Sequence, residues 1–257
     1  MTLLRAREHA ENGEHAAAVT LFTEALESPD RAEAALGLAL VLEDLGDIDG
    51  SRVADQIAID TEDPDYAPRA AYHLALSYER AGDLQAAAGA WRNVVELGNP
   101  DYLPAACLAL AQLADDRGDT DAALAWWEQA VDSGDEEYAP VAAHDLSQRL
   151  LELGQAARAQ TVLATSLRRL HPDSYAYARL AIVMGLTHLE QAIGAFSAAL
   201  GPGTAPDLAP LATELLARTL PLRGRDEESV EVWRRGLADP AIAADVEARI
   251  NRELPAV

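Results

Sequence analysis

Along this chain apolar side chains recur three and four positions apart, the spacing that gathers them onto one face of an α-helix, and glycines punctuate the runs. The pattern predicts a helix from Thr2 to Asn12, a turn at Gly13, and a second helix from Glu14 to Glu27 that carries Ala18, Phe22 and Ala25 inward. Pro29 and Asp30 interrupt the chain. Helix is predicted again from Arg31 to Leu45, ending at Gly46, and from Asp49 to Ile59.

The pattern then becomes periodic. Residues 66–101 set over residues 102–137 give 12 identities in 36 positions, among them Tyr66/Tyr102, Pro68/Pro104, Gly82/Gly118, Ala87/Ala123 and Trp91/Trp127. Gly46, Gly82, Gly118 and Gly154 fall 36 residues apart, each where a helix must close through a left-handed residue. Nine positions after the turn a large apolar residue recurs, at Phe22, Trp91, Trp127, Leu163, Phe196 and Trp233, with Asp55 the exception. Five positions after it stands a small one: Ala18, Ser51, Ala87, Ala123, Ala159, Ala192 and Ser229. Small residues let paired helices approach, and the large one fills the gap to the next hairpin. Self-similarity at this period predicts an α-solenoid.

The spacers each end on tyrosine, at Tyr66, Tyr102, Tyr138 and Tyr175, with Pro and Asp placed to stop one helix and cap the next. Pro68, Pro104 and Pro140 fall in the following first turn, where the missing N–H is harmless. Regularity fades after Gly154. The sixth unit carries Thr187-His188 where the turn glycine belongs, so a shortened first helix around Tyr175 to Met184 is expected. GPGTAP at 201–206 is the longest cluster of helix breakers, which makes 185–206 a candidate hinge. The seventh unit, Asp207 to Ala238, carries Pro221 inside its first helix, and Ala241 to Leu254 reads as an amphipathic cap that closes the exposed apolar end. The expected organisation is therefore 1–170 in about five regular hairpins, 171–238 in two irregular ones, and 239–257 as capping helix and tail.

Composition narrows the function. Of 257 residues, 49% are hydrophobic but only 5% aromatic, which suits thin helix-on-helix layers. All 20 basic residues are arginine. Against 43 acids they leave a net charge of −23, which disfavours nucleic acid or an anionic membrane as partner. The imbalance sits in residues 1–157, with 31 acids and 9 arginines, whereas 158–257 hold 12 acids and 11 arginines. The lone Cys107 excludes an internal disulfide and reads as a small core residue. No run of 18 apolar residues occurs and the first residues lack a signal-peptide core, so a soluble cytoplasmic protein is expected.

These residues resemble bacterial tetratricopeptide repeat (TPR) proteins: hairpins with small residues at two core positions, glycine at the turn, a large aromatic in the second helix and proline near the repeat end. The small residue of the first helix is matched by Ala39, Ala75, Ala111 and Ser147. The period of 36 exceeds the usual 34 by two spacer residues. The resemblance covers nearly the whole chain, most strongly 31–170. It implies a right-handed superhelix of helical hairpins whose concave groove, lined by the first helices, binds peptides or proteins. The groove positions it implies are Leu36, Leu40, Glu43, Arg69, Tyr72, Leu76, Glu79, Arg80, Leu108, Gln112, Asp115, Val141, His144, Gln148 and Tyr177. With no lysine and Arg69 nearly alone, the groove is not expected to clamp a carboxylate.

Catalytic and metal motifs are not evident. The six histidines are scattered, and none pairs with Cys or His at ligand spacing. His144-Asp145 with Glu152 invites acid–base chemistry, but neighbours on a helix point about 100° apart. The acidic clusters at 62–65, 115–121 and 132–137 suit helix caps better than calcium, lacking the ordered 12-residue loop of that site. Trp126 follows an apolar position of the repeat and is expected between hairpins. The reading is a non-enzymatic scaffold without cofactor, holding a basic or amphipathic peptide or protein in an acidic groove. The alternative is a ligand- or peptide-sensing regulatory module that acts on a partner protein.

Overall fold

A computed structural model describes residues 2–201, 203 and 205–251. Among these the regular structure is helical, and the fold class is an all-α, TPR-like solenoid of paired helices. The chain divides into two compact units, Met1–Ala142 and Ala143–Val257.

Unit 1 contains α1 (Thr2–Glu11), α2 (His15–Ala25), α3 (Arg31–Asp44), α4 (Ile48–Ile59), α5 (Ala67–Arg80), α6 (Leu84–Leu97), α7 (Leu103–Asp116) and α8 (Thr120–Ser133). These pair as α1/α2, α3/α4, α5/α6 and α7/α8, and α2, α4 and α6 each pack on the next first helix as well. Helix α9 (Tyr138–Glu152) begins in unit 1 and ends in unit 2.

The turn chemistry follows from two adjacent residues. Gly46, Gly82 and Gly118 have φ of 79°, 71° and 75°, a region that costs an L-residue roughly 1–2 kcal/mol. The aspartate after each glycine caps the second helix: Asp47, Asp83 and Asp119 accept from the backbone N–H of Gly50, Ala86 and Ala122 at 3.0, 3.0 and 3.2 Å. Asp63 and Asp135 do comparable work in the spacers, Asp63 accepting from Asp65 and Tyr66 and Asp135 from Glu137 and Tyr138. The acidic clusters thus spend these oxygens on backbone groups.

The core is built as its composition demands. Ala39, Ala75 and Ala111 of the first helices and Ala18, Ala87 and Ala123 of the second are fully buried, as are Phe22, Trp91 and Trp127 to within 3%. Cys107 is buried, and burial pushes its thiol up to about 11. Trp126 is half-buried against the cluster that Trp91 centres.

Asp55, the break in the large-residue series, is fully buried and explained by its neighbour across the interface. In the first interface Phe22 lies against Gly37, where an added Cβ would meet the ring at 2.5 Å. One repeat on, the two positions hold Asp55 and His73, joined at 2.7 Å between Oδ2 and Nδ1. A large residue facing glycine becomes a small acid facing a large imidazole, so the filled volume is maintained while the chemistry turns polar.

Unit 2 contains the rest of α9, then α10 (Ala156–Leu167), α11 (Tyr175–Ala198), α12 (Ala209–Thr219), a 3-10 turn (Leu220–Arg223), α13 (Asp226–Ala238) and α14 (Ala243–Ile250). The turn expected at Thr187-His188 does not form, and α11 runs unbroken for 24 residues. Thr187 is buried and its hydroxyl donates to the carbonyl of Val183 at 2.9 Å, so without a left-handed residue nothing diverts the helix. Long and apolar enough by length and composition to cross a membrane, α11 packs here between α10 and α12 and carries Arg179 and Glu190. Pro221 does not interrupt α12 but falls in the 3-10 turn that ends at Gly224, φ 67°. The terminal helix covers α12 and α13 through Val246, fully buried. Pro202 and Thr204 of the breaker cluster, and Arg252 and Leu254 of the expected cap, lie outside the described residues.

Candidate partner-binding face

The first helices of unit 1 present three groups of side chains, drawn largely from the positions picked out in sequence. The first is a cavity of about 350 Å³ lined by α1, Phe22 of α2, α3, Tyr66 and the first turn of α5. Leu36, Leu40 and Arg69 all line it. Leu36 is buried and forms floor, whereas Leu40 is 43% exposed on the wall. Arg69 is exposed, and no ion-pair partner for it is found among the described residues.

The second group is a chain of charge from core to surface. His73 places Nδ1 2.7 Å from Asp55 and Nε2 2.7 Å from Glu43, and Glu43 pairs with Arg80 at 2.5 Å. A neutral imidazole has one N–H, so donating to both carboxylates requires the imidazolium form. The hydrogen bond His73 donates to Asp55 raises the His73 pKa above its ordinary value, and burial raises that of Asp55. With His73 and Arg80 positive and both acids negative, the four groups are neutral together. Among the described residues Oδ1 of Asp55 has no hydrogen-bond partner, so the imidazole compensates its charge there.

The third group is aromatic. Tyr72 meets Trp91 edge-on at 5.4 Å and Tyr102 at 5.1 Å, and burial pushes the phenol of Tyr138 up to about 12. Trp91 donates its indole N–H to Glu79 at 2.9 Å, and Leu76 packs partly buried on the same cluster. Further along, Leu108 is buried, Gln112 is exposed, and Asp115 and Val141 are half-buried.

In unit 2, His144 and Gln148 join with Asp145 and Arg179. Nδ1 of His144 lies 2.8 Å from Asp145 and 2.9 Å from the Arg179 guanidinium, while Nε2 meets the Gln148 amide at 3.1 Å. The expectation that His144 and Asp145 diverge is therefore corrected: both side chains lean to one side of α9 and bond. A guanidinium only donates and a carboxylate only accepts, so one tautomer satisfies Arg179 and the other Asp145. Glu152 pairs instead with Arg149 at 2.8 Å. Tyr177 is half-buried at the start of α11, where its backbone N–H caps onto Ser174.

Sequence reasoning missed Asp55, His73, Tyr102 and Tyr138 as contributors to this face. A signal existed: Asp55 and His73 are polar at two positions that hold Phe22 and Gly37 one repeat earlier, and the tyrosines recur at the repeat period. Neither observation could be read as a contact until the interface paired them.

Paired helices, left-handed turn glycines and small residues at the helix contacts define a TPR-like repeat protein. A tetratricopeptide repeat family model matches residues 3–67. No curated protein matches the chain. Among solved structures, the C-terminal part of a TPR repeat-containing protein from Cytophaga hutchinsonii is similar at 13% identity, covering 97% of this chain and 100% of that one, with TM-score 0.51. The apo form of RapI is similar at 12% identity, covering 98% of each chain, with TM-score 0.50. A thermophilic TPR protein of Thermus thermophilus has 25% identity over 71% of this chain and 97% of its own, with TM-score 0.39.

Proposed function

We propose that this protein is a non-enzymatic scaffold that holds a basic or amphipathic segment of a partner protein along the face built by its first helices. The observations that support the reading are the cavity lined by Leu36, Leu40 and Arg69, the pairing of Glu43 with His73 and Arg80, and the packing of Tyr72 on Trp91 and Tyr102. Exposed leucine and half-buried tyrosine there stand among acids, the mixture that an amphipathic segment would complement. Leu36, Leu40, Glu43, Arg69, Tyr72, Leu76, Glu79, Arg80, Leu108, Gln112, Asp115 and Val141 form this site in unit 1, and His144, Gln148 and Tyr177 form a second group within unit 2.

Charge supports a basic partner. Unit 1 holds 29 acids and 8 arginines, a net of −21, whereas unit 2 holds 14 acids and 12 arginines. Such a field raises the encounter rate with a cation more than the final affinity. Affinity capture from a native lysate, followed by titration of the captured partner at low and high salt, tests the proposal. A partner engaging unit 1 with an association rate that falls as salt rises is expected. Binding indifferent to salt, or confined to α11–α14, refutes it.

A further inference from the structure

We propose that the cavity at the amino-terminal end of this face is an anchor pocket. It takes one bulky aliphatic or aromatic side chain of the partner, with a lysine or arginine of the same segment seated toward the ends of α1 and α3. The inference rests on the reading above and adds which residue pattern the partner must carry.

The interior of the pocket is apolar and preformed. Phe22 and Val41 are buried beneath it, and Leu40 stands exposed on its wall. Gly37 contributes backbone alone. One repeat on, the Phe22/Gly37 pair is replaced by Asp55 and His73, whose imidazole is bound to two carboxylates, and two repeats on Ala109 stands at the position of Gly37. A cavity of about 350 Å³ lies at the lower end of the range for ligand sites and suits a single side chain more than a whole cofactor.

The rim selects charge by position. Arg7 is spoken for by Glu33. Glu11 and Asp44 line the cavity, and no ion-pair partner is found for either among the described residues. Each is the last residue of its helix, Glu11 of α1 and Asp44 of α3, where the unpaired carbonyls and the negative end of the helix dipole already favour a cation. Arg69 sits opposite, in the first turn of α5, at a positive helix end. A partner cation is thus drawn to the α1/α3 side and repelled from the α5 side, which gives the bound segment a direction.

The test is selection of random displayed peptides on the whole chain, followed by calorimetric titration of the enriched peptides against wild type, Leu40→Trp and Glu11→Arg/Asp44→Arg. Leu40→Trp fills the pocket from an exposed position, and the double reversal lies at the surface; circular dichroism confirms that each variant keeps its helix content. Enriched peptides are expected to share one bulky apolar residue with Lys or Arg nearby, and to lose about tenfold or more in affinity to each variant. Peptides that bind but lack the pattern, or are unaffected by both variants, overturn the anchor pocket and leave the wider face standing. Recovery of no peptide at all overturns both.

Discussion

Trp91 and Trp127 occupy the same place in successive repeats, are 2% and 3% exposed, and differ in one bond. The indole N–H of Trp91 donates to Glu79 at 2.9 Å, whereas that of Trp127 is buried with no hydrogen-bond partner among the described residues. Replacing either by phenylalanine removes a similar ring volume from a similar layer, so the cavity contribution is shared and the difference isolates the N–H. A hydrogen bond to a charged acceptor stabilises by about 1.5–3 kcal/mol, and Glu79 reaches solvent, which places its share near the low end. A buried donor without a partner costs about 1–3 kcal/mol, and Trp127→Phe relieves that. Trp91→Phe should therefore destabilise by about 2.5–4.5 kcal/mol more than Trp127→Phe. Because Tyr72 packs edge-on against Trp91, a cycle with Glu79→Ala, which removes the acceptor, separates the hydrogen bond from the ring contact. Urea unfolding followed by far-ultraviolet circular dichroism measures the differences. Equal losses for the two tryptophans would refute the assignment of stability to the indole bond.

Further predictions concern the turns and interfaces. His73 has a folded pKa above its unfolded value, so its stabilisation is full below about 6.5 and is lost as pH rises through the raised value; the upward shift of Asp55 acts in the same direction. Urea midpoints should fall from mildly acidic to alkaline pH, and His73→Asn should flatten that slope; an unchanged slope would mean the imidazole is not the titrating group. Gln155 follows Gly154 where other repeats place a capping aspartate, and α10 has no side-chain cap, so Gln155→Asp should stabilise by about 0.5–1 kcal/mol, read as a rise in urea midpoint. Gly37→Ala should destabilise by about 1–3 kcal/mol through contact with the Phe22 ring, and Phe22→Leu should recover part of that loss in the double variant.

The hairpins were legible because they rest on local rules. The glycine at Gly46, Gly82 and Gly118 sets a backbone angle that other residues resist, and apolar spacing at three and four selects helix without reference to any distant residue. The same rules misled at Thr187-His188. Repetition alone implied a turn there, but a turn needs a residue that accepts the left-handed conformation, and helix propagation continued in its absence. What tertiary packing decided is which deviations from the repeat belong together. Asp55 and His73 each looked like an isolated irregularity, 18 positions apart, until the α4/α5 interface brought them to 2.7 Å. His144 and Asp145 show the limit of ideal geometry, since side-chain torsions closed a gap that backbone directions had opened. The path of the backbone is written in the sequence because each turn is a short-range choice. The open pocket between α1 and α3, the neutral quartet around His73 and the stranded N–H of Trp127 arise from the volume and charge left over when neighbouring hairpins meet, and those are set jointly by residues far apart in the chain.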